Sequence, residues 1–222
     1  MASEIGIRRT TDEQIFRVDE FHPLPVSIEN AGPSVFGAQV NADLMWRLSK
    51  MGRLYIASDA DYNDLVTGQT SAANTTPTFL HQVPVGTVAV PLYLNLSQTG
   101  TVAGDTISVI IAVSDVDRYA SGGTSERIYN PSKNAPRVPT SKVYSGATAS
   151  DVSGGNRIFG ATIGQDVAPA EGAVQGPFWR PEVPYVLEGP ASLLVWTYAG
   201  TTGPTWFWSY GFAEFTIDEF YA

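Results

Sequence analysis

Apolar and polar residues alternate with period two along much of the chain, in short β-branched and aromatic runs set off by clusters of Gly, Pro, Asn, Asp and Ser. Successive side chains leave a strand on opposite sides, so this is the pattern of strands with one face buried. The runs predict strands at Gln14–Phe21, Leu44–Leu48, Arg53–Ser58, Thr78–Gln82, Thr87–Leu96, Thr106–Ser114, Arg157–Ile163, Ser192–Ala199 and Thr205–Phe215. Helical periods are scarce. Short strands joined by turn residues predict an antiparallel sandwich or barrel, not a parallel α/β fold.

Residues Asn41–Met51 have two readings. Leu44, Met45, Leu48 and Met51 recur at i, i+1, i+4 and i+7, with Asn41 as N-cap and Gly52 as stop, which describes a helix. The favoured reading is a hairpin in which Ser49-Lys-Met-Gly52 turns between Leu44–Leu48 and Arg53–Ala57, with Gly where positive φ is needed. Both place Trp46 in the core. Further on, Val83–Val90 and Leu187–Val195 each set Gly and Pro just before an apolar strand. From Ser121 to Gly155 turn residues accumulate and long apolar runs are few. This predicts an excursion loop over about residues 118–156, and a long ordered loop on a sandwich is expected to be a contact surface.

Composition narrows the class. The 222 residues include 25 aromatics, and 43% of the chain is hydrophobic, enough for one sizeable core, so a single domain with an extended N-terminal segment of about residues 1–40 is expected. No apolar run is long enough for a membrane helix, and Arg8-Arg9 is not followed by the apolar stretch of a secretory signal. The absence of cysteine excludes disulfides, thiol nucleophiles and thiolate metal sites. The net charge is −9, with no Lys or Arg from Leu54 to Asp117 or after Arg180. Five cations, Arg118, Arg127, Lys133, Arg137 and Lys142, crowd into the stretch Arg118–Lys142 of the excursion against the single Glu126. That stretch reads as a docking element for an acidic neighbour, including another copy of the chain, or as a solvated loop.

Candidate chemistry is sparse. His22 and His81 are the only histidines, and no nucleophile elbow, zinc-binding H-E-x-x-H or phosphate-cradling glycine loop accompanies them. No cofactor and no enzymatic activity are expected. Asp59, Asp61 and Asn63 fit the start of a calcium loop, but Asp64 and Thr70 stand where an EF-hand requires Gly and Glu. A looser calcium site and a solvated acidic turn remain as readings. No pair among the 22 acidic residues has a distinguishing glycosidase spacing, and Asp115 and Asp117 are expected to finish a strand. The strongest pattern is Thr205–Ala213, which puts Trp206, Trp208, Tyr210 and Phe212 on one strand face and Phe207, Ser209, Gly211 and Ala213 on the other. The aromatic face reads as core, as a subunit interface or as a sugar-stacking platform.

The phrases Val83-Pro-Val-Gly-Thr-Val-Ala-Val-Pro-Leu92 and Leu193-Leu-Val-Trp-Thr-Tyr-Ala-Gly-Thr-Thr-Gly-Pro-Thr-Trp206, with the Thr/Ser/Asn-rich loops and the central excursion, are similar to those of small virion structural proteins of bacteriophages. The resemblance covers roughly Leu44 to Phe215 and includes no diagnostic motif. It implies an all-β, antiparallel jelly-roll-like sandwich whose work is assembly in a virion, made in the host cytoplasm. It also implies a homo-oligomer, taken as a trimer, that contacts the major capsid protein. A genome-packaging coat brings a basic arm, whereas residues 1–20 carry a net charge of −2. A decoration or cement protein without direct nucleic-acid or membrane contact is therefore preferred to a major coat protein or a receptor- or glycan-binding head. The candidate interface is Arg118, Arg127, Lys133, Arg137, Lys142, Trp206, Trp208 and Tyr210.

Overall fold

The structure, a computed structural model, describes residues 7–8, 15–16, 44–59, 65–99, 106–132, 137–150, 155–164, 175–200 and 203–222. The chain divides into two compact units, Met1–Met45 and Trp46–Ala222. In the first, β1 (Ile7–Arg8) pairs antiparallel with β2 (Ile15–Phe16), inside the strand expected at Gln14–Phe21.

The second unit is an antiparallel β-sandwich, the class the alternation predicts. One sheet joins β3 (Leu54–Ser58), β17 (Thr205–Thr216) and β6 (Thr87–Thr99), with β10 (Arg127–Tyr129) outside β3 and β14 (Gln175–Trp179) outside β6. Two short strands add to it: β4 (Val66–Thr67) pairs with β17, and β15 (Leu187–Glu188) with β6. The facing sheet runs β13 (Asn156–Gly164), β7 (Thr106–Ser114), β16 (Ala191–Ala199), β5 (Phe79–Val83), β11 (Lys142–Ser145) and β9 (Thr124–Ser125). A small pair, β8 (Tyr119–Ser121) with β12 (Thr148–Ala149), stands apart.

The main core lies between the sheets. Tyr55, Leu94, Leu96, Trp206, Trp208, Tyr210 and Phe212 from one sheet meet Phe79, Val83, Ile107, Val109, Ile111, Leu193 and Val195 from the other, all buried. β16 is nearly all apolar and buried on both faces, the state in which a strand loses its alternation. Its outer side chains Leu194 and Trp196 join Leu80, Tyr144, Ala147 and Ala149 in a second cluster under the excursion. The two look-alike segments pack on each other: Leu187 and Glu188 pair with Ala89 and Val88, and the Gly189 N–H donates to the Thr87 carbonyl at 2.9 Å. Only glycine fits at 189, where a Cβ would lie 1.9 Å from the Pro84 oxygen.

Residues 44–50 form a helix, α1, not the hairpin strand favoured by the sequence. Gly52 takes φ 67°, its N–H donates to the Ser49 carbonyl at 3.0 Å, and the Arg53 N–H donates to the Leu48 carbonyl at 2.8 Å. These two bonds satisfy the Leu48 and Ser49 carbonyls of the helix's last turn and release the chain into β3. Trp46, expected in the core, is 59% exposed, with the Lys50 ammonium one turn on and 3.7 Å from its ring. At the other end, α2 (Ile217–Tyr221) begins at a capping box formed by Thr216 and Glu219. No helix among the described residues is long and apolar enough to cross a membrane.

Candidate functional site

The excursion between β7 and β13 is built into the sandwich. It adds β10 to the edge of one sheet and β11 with β9 to the same-side edge of the other, through Tyr129↔Ile56 and Val143↔His81. Its two flanks come together in β8 and β12, where Tyr119 stacks on Tyr144 at 4.3 Å between centroids. Polar bonds fix each stretch. The Ser192 hydroxyl accepts the Arg118 N–H at 2.9 Å, and the Asn130 amide donates to the Gly52 carbonyl at 2.7 Å. Glu126, only 7% exposed, accepts the Ser145 hydroxyl. Glu214, also buried, accepts the Thr140 and Ser141 N–H groups at 2.7 and 2.9 Å. A buried carboxylate that receives two backbone donors is a strong local anchor.

The five cations of the excursion have different fates. Arg118 is half-buried and donates from Nε to the Ser114 hydroxyl at 2.8 Å. Arg137 reaches Glu219 of α2 at 3.1 Å, a carboxylate that also pairs with the buried Arg53. Arg127 and Lys142 are exposed and have no ion-pair partner among the described residues. Lys133 lies outside the described residues.

Trp206, Trp208 and Tyr210 require a correction as candidate interface. Their exposures are 0%, 6% and 3%, and they face the opposite sheet. Their polar atoms are satisfied within the chain: Trp206 Nε1 donates to Thr197 Oγ1 at 3.0 Å, Trp208 Nε1 donates to Asp59 Oδ1 at 2.9 Å, and the Tyr210 hydroxyl meets His81 Nδ1 at 2.9 Å. Buried aromatic donors that find such partners are core residues, so this face offers nothing to a second subunit. The large apolar side chain of that strand that stands exposed is Phe207, 49% exposed on the outer face.

His81 is sealed between the sheets beside Phe212 and Tyr210, and burial lowers its pKa to about 3. Burial also pushes the Tyr210 phenol well above its ordinary value, so the pair is neutral at pH 7. Nε2 of His81 has no hydrogen-bond partner, and the void beside it, about 10 Å³, is otherwise lined by apolar and aromatic side chains. Apart from the Tyr210 phenol, which burial keeps neutral, no nucleophile or carboxylate stands in this lining. His22, Asp61 and Asn63 lie outside the described residues, and Asp59 is engaged by Trp208. Asp117 closes the turn after β7, accepting the Gln82 amide at 2.6 Å and the Tyr119 N–H at 2.9 Å. Among the described residues no group of three His, Cys, Asp or Glu stands together as a metal site.

Sequence reasoning missed Glu214, Glu219 and Arg53, which hold the far end of the excursion and α2 to β3 and β17. Each is an ordinary charged residue in its local sequence, and only the pairing of distant segments gives it a role. No protein-family model matches the chain, and comparison with curated proteins and with solved structures finds no match.

Proposed function

We propose that the chain is a jelly-roll virion structural protein, a decoration or cement subunit that binds over a phage shell and associates with its own copies. The observation that carries this reading is the strand order. With β3, β5, β6, β7, β13, β15, β16 and β17 lettered B to I, one sheet runs B-I-D-G and the other C-H-E-F. Every successive step except E to F crosses between the sheets, as two interleaved Greek keys require, and that step carries the excursion. Such sandwiches also serve other purposes, so fold alone does not assign the role. Charge supports decoration over genome packaging, because residues 1–20 are net negative and unsuited to neutralising phosphate.

The assembly surface in this reading is the exposed part of the excursion edge and the neighbouring sheet face. It comprises Arg127, Lys142, Tyr129 at 43% exposure, Val138 at 88% and Phe207 at 49%. Many weak copies of such a contact add through multivalency. The test is light scattering of the purified protein at micromolar concentration, with negative-stain imaging for shells or rings. Oligomers that weaken when Arg127 and Lys142 are both reversed to Glu support the reading. A monomer at every concentration, with no attachment to phage shells, overturns it.

A further inference from the structure

We propose that the outer face of the sheet formed by β7, β13 and β16 carries a binding site for an acidic saccharide, a short sugar chain bearing a carboxylate. The excursion covers that face over β5, β16 and the Ala112 end of β7, and Ile110 packs against the rim of the covered cluster. Next to it lies an open cleft of about 300 Å³ lined by Ser108, Ile110, Arg157, Gly160, Thr162 and Tyr198. Strand register orders the lining. Tyr198, Ser108 and Thr162 stand side by side at one end, Ile110 and Gly160 form the middle, and Arg157, paired with Ala112, stands at the other. The end rows are four residues apart, about 13 Å along a strand.

Each feature suits a sugar acid. The three hydroxyls offer donors and acceptors of matching kind, and Ser108 and Thr162 meet each other only at 3.4 Å. The Tyr198 ring and Ile110 give an apolar surface for the C–H face of a sugar ring. Arg157 is exposed with no hydrogen-bond or ion-pair partner among the described residues, and a guanidinium takes a carboxylate in a planar two-bond fork. A single cation does not balance a phosphate dianion, and a peptide strand docks on a sheet edge, not on its face. Gly160 keeps the floor open: a Cβ there would meet no heavy atom within 4 Å. The site goes beyond the shell role and stands or falls independently of it.

That open space at 160 supplies the test. NMR titration of the full chain with 3′-sialyllactose, and with neutral lactose as control, reads the amide signals of Ser108, Gly160, Thr162 and Tyr198. Saturable shifts are expected with the acidic sugar, and binding at least about tenfold weaker with lactose or after Arg157→Gln, since a lost charged hydrogen bond removes roughly that factor. Gly160→Leu fills the cleft and abolishes binding, with the urea midpoint showing that the fold persists; Arg157→Gln, an exposed change, serves if the leucine variant does not fold. No saturable shift at millimolar sialyllactose, equal binding of lactose, or undiminished binding by the folded Gly160→Leu protein overturns the proposal.

Discussion

Acidification from pH 8 to pH 5 tests the burial of His81. The imidazole is 1% exposed, and burial lowers its pKa from the ordinary 6.5 to about 3. Between those values the unfolded chain binds a proton that the folded chain refuses, so stability is full above 6.5 and falls as the pH drops through this window. At pH 5 the loss depends on the unfolded value alone. About 1.5 pH units at roughly 1.4 kcal/mol each give about 2 kcal/mol, and the loss levels off near pH 3. Carboxylates titrate over the same range, so the measurement is a difference. Urea unfolding at pH 8 and pH 5 compares the parent with His81→Gln, which keeps a polar group near the Tyr210 hydroxyl but does not titrate. The parent is expected to lose about 2 kcal/mol more than the variant. Parallel losses in the two proteins, or an NMR titration of His81 near 6.5, would refute the argument.

Three further outcomes follow from the packing. Phe212→Ala empties a site bounded by the rings of Tyr55, His81 and Tyr210 at 5.6, 4.5 and 5.5 Å, and is expected to cost about 3–5 kcal/mol in urea unfolding. Glu214→Ala removes the acceptor of the Thr140 and Ser141 N–H groups, for a loss of about 2–4 kcal/mol and faster hydrogen exchange at those two amides. Gly52→Ala forces a Cβ into the left-handed region at φ 67°, at a cost of about 1–2 kcal/mol by the same unfolding assay.

Most of the long strands are legible in the sequence, because nine to thirteen residues leave room for period two to repeat. β7 spans Thr106–Ser114 as expected, and β17 extends its predicted range by one residue, to Thr216. The short strands β8 to β12 are not legible, since two to four residues carry no period and their pairing depends on edges built by distant segments. Trp206, Trp208 and Tyr210 illustrate a different limit. Alternation assigns them to one face, but whether a second sheet or a second subunit covers it depends on Thr197, Asp59 and His81 arriving as partners. In α1, positive φ at Gly52 suits a hairpin turn and a helix stop equally, so the glycine does not decide between them. The decision rests on the backbone bonds of Gly52 and Arg53 back into the last helical turn. The cleft at Arg157 and Gly160 has no local signature either, because its residues come from three strands.

The cation cluster in the excursion overstates the charge available to a partner. Arg137 is held by Glu219 beside Arg53, and Arg118 turns back onto Ser114. These two therefore help fasten the excursion to the sandwich. Arg127 and Lys142 remain as exposed cations among the described residues of the stretch. Exposed pairs contribute about 0.2–1 kcal/mol each, so two of them do not hold a subunit on a shell by themselves. In the proposed role, apolar side chains supply most of each contact, Tyr129 and Val138 at that edge and Phe207 on the adjoining sheet face, all of them exposed. Charge then steers and orients the encounter, and its salt dependence reflects fewer than the five cations per copy that the sequence counts.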